Sequence, residues 1–103
     1  MTKDEMREMM EVVFAECRDL RGKGQAEYAG GEEAFGNFIR LGTMLGLPKE
    51  KILIVYAMKH WDGIISHVNG HVSQREPVQG RINDLIVYLC ILRGMVEESA
   101  RGE

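Results

Sequence analysis

Two stretches decide how this chain is read: PKEKILIVYAMKHWDGIISHVN at residues 48–69 and PVQGRINDLIVYLCILRGMVEE at residues 77–98. Their apolar cores, ILIVYAM (52–58) and LIVYLCIL (85–92), are β-branched, and periodicity alone reads each as a buried strand or as part of a helix. Length separates the two. Each run sits inside a segment of about twenty residues interrupted only by single glycines, and strands seldom exceed about ten. A proline opens both segments, where its missing N–H is no loss and its fixed φ suits a first helical turn. The first segment is therefore expected to be helical from Pro48 to about Asn69, where Asn69-Gly70 breaks it, and the second from Pro77 to about Glu98.

Outward from these, Met6, Met9, Met10, Val13, Phe14, Cys17 and Leu20 recur at spacings of three and four, one side of a helix. Thr2 with Glu5 has the capping-box pattern at its start, and Gly22 and Gly24 are expected to end it, giving a helix over about residues 3–21. The glycine-rich stretch RGKGQAEYAGG reads as a loop. A further helix is expected from about Glu32 to Leu45, with Phe35, Phe38, Leu41 and Leu45 inward and Gly46 as its stop. Gly42 and Gly46 leave room for a neighbouring backbone. No internal repeat or linker divides the chain. The expectation is an all-α, four-helix bundle-like single domain over residues 1–103.

The chain carries 13 Lys plus Arg against 16 Asp plus Glu, a formal charge of −3. That balance argues against general nucleic-acid binding, which normally needs a net basic surface, and leaves room for a local basic pocket. The longest apolar runs are far short of the roughly 20 residues of a membrane span. MTKDEMREMM lacks the apolar core and cleavage site of a secretory signal, so a cytoplasmic location is expected. Cys17 and Cys90, both among apolar helical residues, read as buried free thiols rather than a disulfide or zinc framework.

The third and fourth helices have more apolar surface than one small core needs. Leu53, Ala57, Trp61, Ile64, Ile65 and Val68 form the expected main face of one, with a second stripe of Ile52, Val55, Lys59, Asp62 and Ser66. On the other, Val78, Ile82, Leu85, Leu89, Leu92 and Val96 form the main face, beside a stripe of Arg81, Asp84, Tyr88 and Met95. Two apolar faces on each of two helices point to burial of one of them in a homo-oligomer, a dimer or tetramer.

The charges on the second stripes carry the chemistry. Lys59 with Asp62 and Arg81 with Asp84 are spaced i, i+3, and each pair reads equally as an intrahelical salt bridge. Their position beside the longest apolar runs points instead to a partner that offsets desolvation. A nucleotide is such a partner: Lys59 and Arg81 meet phosphates, Asp62 and Asp84 a divalent metal or a ribose, and Tyr88 or Tyr28 a base or sugar. Gly63 reads as a packing glycine or as a point of close approach.

Other constellations have simpler readings. His67 and His71 have H-x3-H spacing with His60 nearby, but no cysteine pair completes a zinc set, and surface histidines at a helix end explain them. Met6, Met9 and Met10 suit core or subunit packing, or a pliable surface for a partner helix. Glu5 with Glu8 and Glu16 with Asp19 read as solvated surface. Arg18 and Arg21 read as helix-terminal charges, and Lys23, beside the glycine-rich loop, has the better claim on an anion. No P-loop, GxGxxG or nucleophile signature is present.

Lys23-GQA-Glu27-Tyr28-Ala29, Glu33-AFG-Asn37-Phe38, Lys59-His60-W-Asp62 and Glu76-Pro77-VQ-Gly80-Arg81-I-N-Asp84-LIV-Tyr88-L together resemble the phage and bacterial nucleotide-modification-associated domain family. The resemblance runs from about Lys23 to Val96. More distantly, RINDLIVYL is similar to the last metal-bearing helix of MazG-like all-α nucleoside triphosphate pyrophosphohydrolases. These resemblances imply an oligomeric helical bundle associated with nucleotides, of phage or prophage origin, with magnesium orienting water against a phosphate. Lys23, Tyr28 and Asn37 join the ligand set on this basis, and Asp84 with Glu33 the metal set. Asp84 is the position that matches the pyrophosphohydrolase pattern well. Three residues before it, where that pattern has a glutamate, stands Arg81, and no paired-glutamate motif precedes it.

Three functions follow as expectations: a metal-dependent hydrolase of a nucleoside triphosphate; a protein that sequesters a nucleotide signal, as a phage needs against nucleotide-based host defence; and a helical module engaging only protein.

Overall fold

The computed structural model describes residues 1–28, 33–71 and 75–102, the side chains of 23–28 excepted. They form an all-α chain of four helices: α1 (Lys3–Tyr28), α2 (Gly36–Leu45), α3 (Lys49–Val68) and α4 (Val78–Ala100). Among the described residues, no helix is long and apolar enough to cross a membrane.

At the start of α1, the Glu5 amide donates to Thr2 Oγ1 (3.1 Å) and the Thr2 amide to Glu5 Oε1 (3.3 Å), the reciprocal capping box expected there. The helix does not end near residue 21. Gly22 keeps a negative φ and α1 continues to Tyr28. A helical glycine costs only about 1 kcal/mol against alanine and stops a helix only if the backbone turns left-handed. Gly46 makes that turn: its φ is +71°, its amide donates to the Gly42 carbonyl, and α2 ends at Leu45. At Gly42 a Cβ would lie 2.5 Å from the Leu47 carbonyl oxygen, so this glycine makes room for the backbone of the following turn. The start of α2 is later than expected. The Glu33 carboxylate accepts from the Phe35 amide (3.2 Å), holding a turn at residues 34–35, and the helix opens at Gly36. Pro48 and Pro77, expected inside the first turns of α3 and α4, stand one residue before them as the N-cap residues.

The core lies where α2, α3 and α4 meet. Phe35, Phe38, Ile52, Leu53, Ile91 and Met95 form one buried cluster, and Leu53 and Met95 are wholly sealed from solvent. Fully burying one such side chain is worth about 1.5–3 kcal/mol. α3 and α4 pack antiparallel, with α2 against α3 and α1 against α4.

The burial overturns several facial assignments. On α4 the stripe of Arg81, Asp84, Tyr88 and Met95 turns inward with Ile91, while Ile82, Leu89 and Val96 of the expected main face are 40–54% exposed. On α3 the inner face is Ile52, Leu53, Ala57 and His60; Trp61, Ile65 and Val68 point to solvent. Leu45 of α2 is exposed as well, and Met6, Met9, Met10 and Phe14 of α1 are roughly half exposed, while Cys17 is buried. A helix with two apolar stripes has no intrinsic preference between them; the partner helix chooses.

Both cysteines are free, as expected, but only one is buried. Cys17 is buried, with Sγ 3.7 Å from the Asn83 carbonyl, whereas Cys90 is exposed. Burial, reinforced by the neighbouring Cys90, Glu16 and Asp84, pushes the Cys17 thiol above its ordinary range. Since the thiolate is the nucleophile, mild alkylation of the native protein is expected to label Cys90 alone, with Cys17 reacting after denaturation. Mass mapping checks this, and equal labelling of both would contradict the packing of α1 on α4.

Candidate functional site

α3 and α4 bring their inner charged residues together near the end of the hairpin closed by the 69–77 connection. His60 is the one buried polar residue among the described residues, 7% exposed, placed three residues after Ala57 on the face that packs against α4. Its ring lies against Tyr88, with centroids 5.7 Å apart, and its Nδ1 is 3.4 Å from Asp84 Oδ2. The separation is within ion-pair reach, but the direction is wrong for a hydrogen bond, and Nδ1 is buried without one. Glu76, in the turn before Pro77, completes the group. His60, Glu76 and Asp84 each offer a ligand atom, all within 4.8 Å of one another.

Two cations border this group. Lys59 Nζ lies 3.8 Å from Glu76 Oε1. The Arg81 side chain crosses Gly63, where a Cβ would collide with its Cδ, Nε and Cζ, and Nη1 makes a long contact of 3.5 Å to the Lys59 carbonyl. Gly63 is thus a packing glycine, and what it admits is Arg81. Arg81 Nε is buried with no hydrogen-bond partner.

Asp84 also lines a cleft of about 440 Å³, within the 300–1,000 Å³ range usual for small-molecule sites. One wall is aromatic. Phe38, Tyr56 and Tyr88 stand with centroids 5.9–6.4 Å apart in tilted and edge-on arrangements. Arg21, Asn37 and Arg40 line the same cleft. Arg40 Nη2 donates to Asn37 Oδ1 (3.4 Å), and Arg21 Nη2 donates to the Ala34 carbonyl (3.0 Å), tying α1 to the turn before α2.

Burial, with Glu76 adding to it, pushes the Asp84 carboxyl above the usual carboxylate range, against the opposing pull of His60, Lys59 and Arg81.

Of the residues expected in the site, Asp84, Arg81, Lys59, Tyr88 and Asn37 come together here. Asp62 is exposed and belongs to neither the cleft nor the His60 group. Glu33 caps its own turn and is not among the clustered ligands. The side chains of Lys23 and Tyr28 lie outside the described residues. His67 and His71 are exposed, in keeping with the surface reading. Glu16, read as solvated surface, accepts from Asn83 Nδ2 on α4 (2.7 Å). The sequence reading missed His60, Glu76, Tyr56, Arg21 and Arg40. For His60 a signal existed, since it shares the 53, 57, 60 face of α3; Glu76 sits in a turn, where no periodicity points at a partner.

No family model, curated protein or solved structure matches the chain. Fold and site define it as an all-α helical protein with an imidazole–carboxylate cluster at the edge of an aromatic, arginine-bordered cleft.

The raised Asp84 carboxyl has a sign that can be measured. The folded chain holds that proton more tightly than the unfolded one, so the associated stability is present below the ordinary value of 3.8 and is lost as pH rises through the folded value. In metal-free protein, Asp84→Asn is therefore expected to be more stable than the parent at neutral pH, with the gap closing toward about pH 4. Melting curves across that window check it; an Asn variant less stable at neutral pH would mean that the carboxylate is well compensated.

Proposed function

We propose that the protein binds a nucleotide or nucleotide-like phosphate in the cleft bounded by Phe38, Tyr56 and Tyr88. The observation that carries this reading is the pairing of an aromatic wall with Arg21, Arg40 and Asn37 in one cleft that Asp84 enters. A base stacks on Tyr56 or Tyr88, arginine forks and the Asn37 amide meet phosphate or ribose oxygens, and Lys59 and Arg81 add positive charge beyond Asp84. Lys23 and Tyr28 belong to the same ligand set through the family resemblance, and a cytoplasmic location goes with a nucleotide ligand.

Two outcomes after binding are distinguishable. In the hydrolytic version, a divalent ion at Asp84 supplies a polarised water and the chain's residues orient the phosphate toward it. The sequestering version is favoured by Arg81, which stands where the pyrophosphohydrolase pattern has a glutamate and lies in the Gly63 notch. Incubation with a panel of linear and cyclic nucleotides, with and without divalent metal and analysed before and after heat denaturation, separates them. Metal-dependent monophosphate and pyrophosphate establish hydrolysis; ligand that disappears and returns intact on denaturation establishes sequestration. Tyr56→Ala and Arg40→Ala are expected to weaken binding by about 1–3 kcal/mol each. No retention and no turnover of any nucleotide would sink this reading and leave the protein-interaction module.

The outer faces of α3 and α4 belong to a second copy of the chain in this proposal. Ile54, Met58, Trp61, Ile65 and Val68 form an exposed stripe on α3, and Ile82, Leu89 and Val96 recur every seven residues on α4. The chain presents 7719 Å² of surface, about 1,800 Å² more than the roughly 5,900 Å² typical of a monomer of its 11.7 kDa. That excess is ample for the roughly 800 Å² per partner of a standard interface. Light scattering is expected to give the mass of a dimer or larger, and Leu89→Glu to shift it toward one chain. A parent protein that runs as a monomer would remove this part.

A further inference from the structure

The resemblance implies magnesium, but the clustered side chains do not form a magnesium cage. Magnesium takes oxygen ligands and keeps its waters, whereas the group offers one imidazole nitrogen and two carboxylates. The decisive atom is His60 Nδ1. The His60 side chain is 9% exposed, its Nδ1 has no hydrogen-bond partner, and that atom faces Asp84 Oδ2. A buried polar atom without a partner costs stability unless something fills the position. The spacing says what kind of thing fits. Two ligands bound at about 2.1 Å to a tetrahedral ion are about 3.4 Å apart, and His60 Nδ1 lies 3.4 Å from Asp84 Oδ2 in a direction unsuited to a hydrogen bond. The third donor, Glu76, lies in the half-buried turn leading into α4, with its ligand atom within 4.8 Å of the other two. A dication also balances the two carboxylates, releasing Lys59 from its loose 3.8 Å contact with Glu76.

We infer that His60, Glu76 and Asp84 bind one first-row divalent transition-metal ion of the zinc or cobalt kind, leaving an open coordination position. Three protein ligands are one fewer than a closed structural site. Asp84 is shared with the aromatic cleft, so the open position is available to a water or to an oxygen of whatever the cleft holds. Nitrogen among the donors selects first-row transition metals over magnesium. The metal site does not depend on the nucleotide reading. A protein that binds cobalt and no nucleotide refutes only the latter; nucleotide retained in the presence of a chelator, with no cobalt site, refutes only the former.

The test uses the full chain, free of affinity tags and stripped of metal, titrated with Co2+ and followed by its visible d–d absorption, with metal analysis after dialysis. One cobalt per chain is expected, undisturbed by magnesium in large excess, together with a rise in melting temperature. Glu76→Gln and Asp84→Asn are conservative and leave the helices intact, which far-UV dichroism of the metal-free variants verifies. Each is expected to lower cobalt affinity by more than about tenfold, as loss of a direct ligand should cost at least what outer-shell changes cost. Cobalt binding unchanged in both variants, a thiolate charge-transfer band placing the ion on Cys17 or Cys90, displacement by equimolar magnesium, or no stoichiometric binding would each overturn the inference.

Discussion

The antiparallel contact between α3 and α4 seals Leu53 and Met95, and nearly everything else hangs from it. It chooses which stripe of each helix faces inward. With Leu53 and Met95 at one end of the contact, the helical repeat carries Ala57 and His60 along one helix and Ile91, Tyr88 and Asp84 back along the other. The imidazole therefore meets the carboxylate because the apolar residues further along have already set the register. α2 supplies Phe35 and Phe38 to the same core, and with Phe38 it supplies one ring of the cleft wall.

The site end of the contact works against stability where the core end works for it. Asp84 is pushed toward its neutral form by burial, His60 Nδ1 goes without a hydrogen bond, and so does Arg81 Nε. Each unsatisfied buried polar group costs on the order of 1–3 kcal/mol. A chain of this size has only about 5–15 kcal/mol of net stability. These uncompensated groups are concentrated at one place, within a fold whose other polar groups are mostly exposed.

The same economy applies to the surface. α3 and α4 pack their inner faces together, leaving outer stripes from Ile54 to Val68 and from Ile82 to Val96 in contact with water. Met6, Met9 and Met10 of α1 are partly exposed as well.

Local signals were enough for the helices. The length of the 48–69 and 77–98 segments, Pro48 and Pro77, the Thr2–Glu5 box and the left-handed Gly46 act within a few residues of themselves, so the sequence alone determined an all-α chain and most helix ends. The exceptions are instructive: Gly22 permits a stop without imposing one, and the turn at Glu33 forms through a side chain that periodicity does not register. Asp84, Arg81 and Lys59 were legible because charges beside long apolar runs are costly wherever they sit, and Tyr88 because it shares the stripe of Arg81 and Asp84. Tertiary structure alone decided which stripe is buried, that Asp62 and Glu33 stand apart, and that His60 and Glu76 join Asp84. A helix with two apolar faces is symmetric in its own energetics, and only the partner helix breaks that symmetry by burying one of them.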